Sequence, residues 1–136
     1  EYLTDKGLTC TRFSFSDSND ISAVTTAAAA QSDVIYIPTD NTAASCSETI
    51  GNIVREKKVP VVAGEQGICA GCGVATLSIS YYDLGVKTGE MAAKILKGEE
   101  KISEMPIEYA KATKMYNPAI CEELGITVPE GYTAIE

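Results

Sequence analysis

The run Val34-Ile35-Tyr36-Ile37-Pro38-Thr39-Asp40-Asn41-Thr42 decides the fold. Four apolar residues of β-branched and aromatic type make a short strand of the buried kind, and Pro38 stops it. Thr39 to Thr42 then offer side-chain acceptors for the free amides of a helix start. The helix that follows places Ala43, Cys46, Ile50, Ile53 and Val54 inward, and Lys57 and Lys58 close it where the helix dipole favours cations. A second buried-type strand, Val59-Pro60-Val61-Val62-Ala63, comes directly after. Strand, helix and strand joined by short links form a βαβ unit, which requires parallel strands and a right-handed crossover.

Towards the amino terminus, Thr11-Arg12-Phe13-Ser14-Phe15-Ser16 alternates with period two and is expected to be an edge strand. Asp17-Ser18-Asn19-Asp20 caps a helix whose small apolar stripe is Ile21, Val24, Ala27 and Ala28. The opening residues read as the end of a helix closed by Lys6-Gly7, and no targeting segment precedes them, which says nothing about compartment. Towards the carboxyl terminus, the glycine-rich stretch Gly64 to Gly73 is expected to be irregular, and Ala75-Thr76-Leu77-Ser78-Ile79-Ser80 to be a strand. Asp83 opens a helix with Leu84, Met91, Ala92, Ile95 and Leu96 on one face and Lys87, Glu90, Lys94 and Lys97 on the wet one. Ile107 to Ala112 and Thr113 to Tyr116 look extended, Asn117-Pro118 starts a short helix that Gly125 ends, and Ile126 to Glu136 reads as a surface strap. The fold class is therefore α/β, a parallel sheet flanked by helices, with strands in the Thr11, Val34, Val59 and Ala75 segments and Asp40 and Glu65 on one edge.

Composition narrows the function. With 136 residues the chain holds one ordinary domain and one core. A formal net charge of -8 repels phosphate backbones and anionic surfaces, so nucleic acid is not an expected partner. The chain has no histidine, which removes the usual imidazole base, the Ser-His and Cys-His dyads and the commonest zinc ligand together. The five cysteines have no framework spacing; Cys69-Ala70-Gly71-Cys72 is a CxxC whose second cysteine is flanked by glycines, read as incidental thiols, with a local disulfide, a redox pair or a metal half-site as alternatives. No catalytic residue, metal or cofactor is expected, and the glycine loops match neither a dinucleotide nor a Walker pattern.

In an open parallel sheet, ligands bind beyond the carboxyl ends of the strands. Three such ends are polar here: Ser16 to Asn19, Pro38 to Thr42, and Gly64-Glu65-Gln66. Carboxylates and helix-terminal amides side by side suit a small zwitterion, with Asp40 or Glu65 facing its ammonium. Asp17, Asn19, Asn41 and Thr42 could equally be plain caps, whereas Asp40 and Glu65 are the ones the backbone needs least. Tyr81 or Tyr82 could stack on a ligand or pack the core.

Ile35 to Thr42, Val59 to Glu65, Ala75 to Gly85, Thr88 to Gly98 and Leu124 to Pro129 together resemble the ABC-transporter substrate-binding family whose characterised members take up tryptophan and other aromatic amino acids. The resemblance implies a type I periplasmic-binding-protein fold, two α/β lobes closing on a ligand. By it, residues 1–80 are the second lobe, and residues 81–136 are a hinge crossing, a helix and a carboxy-terminal segment that contribute to the first lobe and an interlobe strap. It carries Thr39, Asp40, Asn41, Glu65, Ser80 and Tyr81 over as cleft residues, with Ser18 and Asn19 as weaker candidates. It implies a non-catalytic binding component of an importer, placed outside the cytoplasm as a lipoprotein or periplasmic protein, with ABC permease subunits as membrane partners. A sensing domain of a regulator or chemoreceptor on the same fold is the rival. A chain carrying only this part would expose apolar surface and self-associate or exchange its Asp83 helix.

Overall fold

The computed structural model describes residues 2–135. Helix α1, Tyr2–Asp5, is a single exposed turn that ends at Gly7, whose φ of +79° only glycine adopts freely. Helix α2 spans Ile21–Ala29 and leads into strand β1, Ile35–Ile37. Helices α3, Asn41–Ser45, and α4, Ser47–Glu56, break at Cys46 and lead into strand β2, Val61–Ala63. Helix α5, Gln66–Cys72, connects β2 to strand β3, Ala75–Ile79. Helix α6, Tyr81–Leu96, strand β4, Ala112–Tyr116, helix α7, Pro118–Leu124, and strand β5, Thr133–Ala134, complete the chain.

The sheet order is β1-β2-β3-β4-β5. β1, β2 and β3 are parallel, as the βαβ reading requires, with Tyr36 opposite Val62 and Val62 opposite Ala75. β4 runs antiparallel to β3, and β5 parallel to β4, so the sheet is mixed beyond β3. The hydrophobic pattern fixes which residues are buried in a strand but not its direction, and the long excursion through α6 allows the chain to return either way.

Several local expectations fail, among them the single helix expected from Ala43 to Lys58, which is broken at Cys46 into α3 and α4. Thr11 to Ser16 is extended but forms no strand: among the described residues no backbone–backbone hydrogen bond involves residues 9–16, and β1 pairs with β2 alone. Alternation marks a two-sided environment, yet a strand also needs a ladder partner; here Phe15 packs against the core without one. The glycine stretch, expected to be irregular, contains α5. Its glycines serve close packing: a Cβ on Gly71 would strike Ser47, and one on Gly73 would meet Cys69 and Ala63.

The main core lies between one face of the sheet and α2 to α5. Ile21, Ala43, Ile50, Val54, Val61, Ala63, Ile68, Cys69 and Cys72 are all buried in it. A fully buried Val or Ile contributes about 1.5–3 kcal/mol, so this cluster carries most of the stability of the α/β unit. A smaller cluster, Val74, Ile120 and Cys121, holds α7 against the sheet. Asn117, buried, ties it to α5: its amide nitrogen donates to the Cys69 and Ala70 carbonyls while its Oδ1 accepts from Ala119 and Ile120. The opposite sheet face leaves Tyr36, Val62 and Leu77 exposed. Helix α6 starts at Tyr81, two residues before the expected Asp83, and none of its residues is buried. No helix among the described residues is long and apolar enough to cross a membrane.

Candidate ligand-binding edge

Because β1, β2 and β3 are parallel and adjacent, the loops that follow them emerge on one edge of the sheet. This brings Thr39, Asp40 and Asn41 after β1 beside Glu65 after β2, and places Ser80 and Tyr81 after β3. The first two loops touch: the Thr39 hydroxyl donates to the Gly64 carbonyl at 3.2 Å, and the Gly64 amide donates to the Ile37 carbonyl at 2.7 Å. A Cβ on Gly64 would run into Thr39 N and the Pro38 backbone, so only glycine permits this approach. Ser18 and Asn19 follow the extended segment instead of a strand and are exposed; the Asn19 amide donates to Asp17 Oδ1 at 2.7 Å, a local turn.

The acidic pair has a backbone duty that the sequence reading assigned to other residues. Asp40 caps α3, its Oδ1 accepting from the Ala43 amide at 2.8 Å. Glu65 caps α5, its two carboxylate oxygens accepting from the Gly67 amide at 2.7 Å and from the Ile68 amide. Ser80 caps α6 through the Asp83 amide at 3.1 Å. Asn41 and Thr42, offered as plain caps, begin α3 behind Asp40 instead. The caps do not exhaust these groups. A carboxylate has about four acceptor sites, and a capping hydroxyl keeps its proton to donate. Asp40 and Glu65 are half-buried, while Thr39, Asn41, Ser80 and Tyr81 are exposed, so the edge presents two held carboxylates with exposed polar side chains around them.

Sequence reasoning missed Gly64 as the residue that lets the two loops meet, and Asn117 as the brace under α5. The first had a signal, a glycine directly after a buried strand; the second had the Asn-Pro cap signature, which does not say where the spare amide points.

The cysteine pair shows no redox design. Cys69 and Cys72 lie in the last turn of α5, not at a helix start, and both are buried. Burial first, then the charges of Cys121 and Glu65, pushes Cys69 from 9.0 up to about 12. Burial first, then Cys69, pushes Cys72 to about 12 against the opposing pull of Arg55. A reactive thiol needs the opposite shift. These thiols stay neutral in the fold, while the unfolded chain ionises them from about pH 9; stability is therefore unaffected by them below pH 9 and falls as pH rises from 9 towards 12. At pH 8 a thiol reagent is expected to label Cys10 rapidly and Cys46 more slowly, with Cys69, Cys72 and Cys121 reacting only after denaturant is added. Rapid native labelling of Cys69 or Cys72 would contradict this.

Comparisons with known proteins bear on the family and the fold. A family model described as ABC transporter substrate binding protein matches residues 1–134. Over 100 residues, 74% of this chain and 29% of the relative, the chain is 29% identical to a tyrosine-binding protein of Clostridioides difficile (strain R20291). Among solved structures, the ligand-free, open form of a substrate binding protein with adhesive properties from Clostridium difficile matches at 33% identity with a TM-score of 0.78, covering 99% of this chain and 46% of that one. An ABC domain from Streptococcus pneumonia in complex with L-Trp matches at 32% identity with a TM-score of 0.83, covering 98% of this chain and 47% of that one. The chain thus spans about half the length of these solved relatives and under a third of the tyrosine-binding one. With the family model covering nearly every residue and the solved relatives sharing the fold, the chain belongs to the ABC transporter substrate-binding protein family.

Proposed function

We propose that this chain is one lobe of a solute-binding component of an ABC importer, and that its carboxyl sheet edge helps to hold a small amino acid, aromatic in side chain, without catalysis. The single observation that carries the reading is that Asp40 and Glu65, each fixed by a cap, lie on the same edge of the sheet in adjacent loops that touch at Thr39 and Gly64. Side chains already ordered by the fold lose little entropy on binding, which favours recognition over flexible capture. The ligand ammonium is placed against Asp40 and Glu65, with Thr39 and Asn41 donating beside it. The ligand carboxylate meets the Ser80 hydroxyl and the first amides of the 16-residue α6, and Tyr81 stacks on the ring. Ser18 and Asn19 contribute at the margin. The relatives named for tyrosine and solved with L-Trp support an aromatic amino acid.

In this reading residues 1–80 form the second lobe. Residues 81–136 make the hinge crossing, the α6 helix and the carboxy-terminal segment serving the first lobe and an interlobe strap. Support comes from α6, which leaves the sheet at Ser80 and buries none of its residues on it. ABC permease subunits are the partners, and the site of action is extracytoplasmic, lipid-anchored or periplasmic.

One lobe supplies part of the pocket, so the 136-residue chain is expected to bind weakly. In a nitrogen-15 NMR titration, millimolar L-tryptophan or L-tyrosine should shift the amides of Thr39 to Asn41, Glu65 and Ser80 to Tyr81 without saturating. Shifts confined to other surfaces, or produced by ribose alone, would contradict the assignment.

A further inference from the structure

We propose, on the reading of Glu65 as a partner of the ligand ammonium, that Asn117 is a positioning residue for binding. From the opposite edge of the sheet its side-chain amide fixes the axis of α5, and thereby the place of the Glu65 carboxylate.

α5 has seven residues, and isolated helices under about 12–15 residues are marginal in water. Its axis is therefore set by what grips it from outside. At its first turn the Glu65 carboxylate accepts from the Gly67 and Ile68 amides, so carboxylate and helix move as one body. Ile68 holds that body to the core, and the glycine contacts of Gly51 and Gly71 set how closely it approaches α4. Apolar burial is not directional, so these contacts leave small tilts and slides open.

Asn117 supplies the directional grip. The last carbonyls of a helix have no partner within it. Asn117 Nδ2 donates to two carbonyls in the second half of α5, Cys69 at 3.2 Å and Ala70 at 3.1 Å. Its Oδ1 accepts from the Ala119 amide at 3.1 Å and the Ile120 amide at 3.2 Å, at the start of α7. Its own backbone amide donates to the Val74 carbonyl, and its carbonyl accepts from the Cys121 amide. Every polar group of the residue is thus in use, and it is 8% exposed. The amide can face only one way, because turning it over would set Oδ1 against two carbonyls and Nδ2 against two amides. The far side of the pin is firm, since α7 is seated through Val74, Ile120 and Cys121.

The pin acts at a distance. β4 runs antiparallel to β3 with Tyr116 opposite Ala75, so Asn117 lies at the edge where β3 begins, whereas Glu65 lies at the edge where β2 ends. Seven helical residues span about 10 Å, so a tilt of about 10° at the pinned end moves the other by about 2 Å. A charge-assisted hydrogen bond, made at about 2.7–2.9 Å, does not survive that displacement.

The test is a double-mutant cycle in the two-lobed protein, with Asn117→Ser and Glu65→Gln made singly and together. Serine starts a helix about as well as asparagine, so α7 keeps its cap, but it is too short to donate to both α5 carbonyls. Calorimetry with L-tryptophan and L-tyrosine reads affinity at a temperature where circular dichroism shows each variant folded. Asn117→Ser is expected to weaken binding on the order of tenfold when Glu65 is present, and by less than about twofold in the Glu65→Gln protein, where no carboxylate remains to be misplaced. A purely structural role predicts a lower unfolding midpoint with affinity unchanged, or the same loss in both backgrounds, and either result would overturn the proposal. Glu65→Gln that alone leaves affinity unchanged would instead remove the amino-acid reading on which the proposal stands, and it shows before Asn117 is altered. Asn117→Asp keeps the side chain's shape and the α7 cap while turning an oxygen on the two carbonyls, and it carries the same cycle should the serine variant not fold.

Discussion

Ile68→Ala is expected to lower the unfolding free energy by about 2–5 kcal/mol, the range for truncating a fully buried Ile or Leu. Ile68 is 0% exposed and is among the largest of the fully buried side chains, packed with Val54, Val61 and Cys72. The cost should fall towards the upper end. α5 is seven residues long, and its glycines already bring it close to α4, where a Cβ on Gly51 would meet Cys72, so the helix has little room to settle into the space vacated. Urea denaturation followed by circular dichroism reads the change as a lower midpoint with an unaltered slope. A loss under about 1 kcal/mol would mean that α5 is not held as described.

The second large effect is on binding, and the double duty of the acidic residues shapes it. In a two-lobed protein carrying this chain as its carboxy-terminal half, Asp40→Ala or Glu65→Ala is expected to weaken aromatic amino-acid binding by about 2–5 kcal/mol, the cost of removing one partner of a buried, hydrogen-bonded charge pair. Each change also removes a helix cap, worth about 0.5–2 kcal/mol of stability. The two losses separate with Glu65→Gln. The amide oxygen can still accept from the Gly67 or Ile68 amide, but the charge facing the ammonium is gone, so affinity should fall with most of the stability retained.

Much of this arrangement was legible before any coordinates. Ile35 to Ile37 and Val61 to Ala63 were recognisable as strands because the runs that hold them are short, apolar and closed by Pro or Gly. The expected burial on both faces fails at Val34, Tyr36 and Val62, which are exposed, and the one helix expected between them is α3 and α4. From the βαβ logic alone, Asp40 and Glu65 had to share an edge, and they do. The failures have a common cause. Thr11 to Ser16 alternates correctly but lacks a ladder partner, and α5 is hidden under glycines that serve close approaches, Gly71 to Ser47 on α4 and Gly73 to Ala63 on β2, which no local pattern displays. Local pattern reports propensity and exposure; partners and close approaches are set by the tertiary fold. The same limit explains why Asp40 and Glu65 were credited with freedom from the backbone. A cap depends on where the helix begins, and in both cases it begins one residue later than the acid.

The central claim is that the edge holding Asp40 and Glu65 binds an aromatic amino acid. Titration calorimetry of the two-lobed protein with L-tryptophan, L-tyrosine, L-phenylalanine and ribose, repeated with Asp40→Ala and Glu65→Gln, tests it most directly. The account predicts saturable binding of at least one aromatic amino acid, none of ribose, and a loss of about 30-fold or more in each variant, the lower end of the range for a broken charge pair. Binding of ribose alone, or aromatic amino-acid affinity left unchanged by both substitutions, would contradict it.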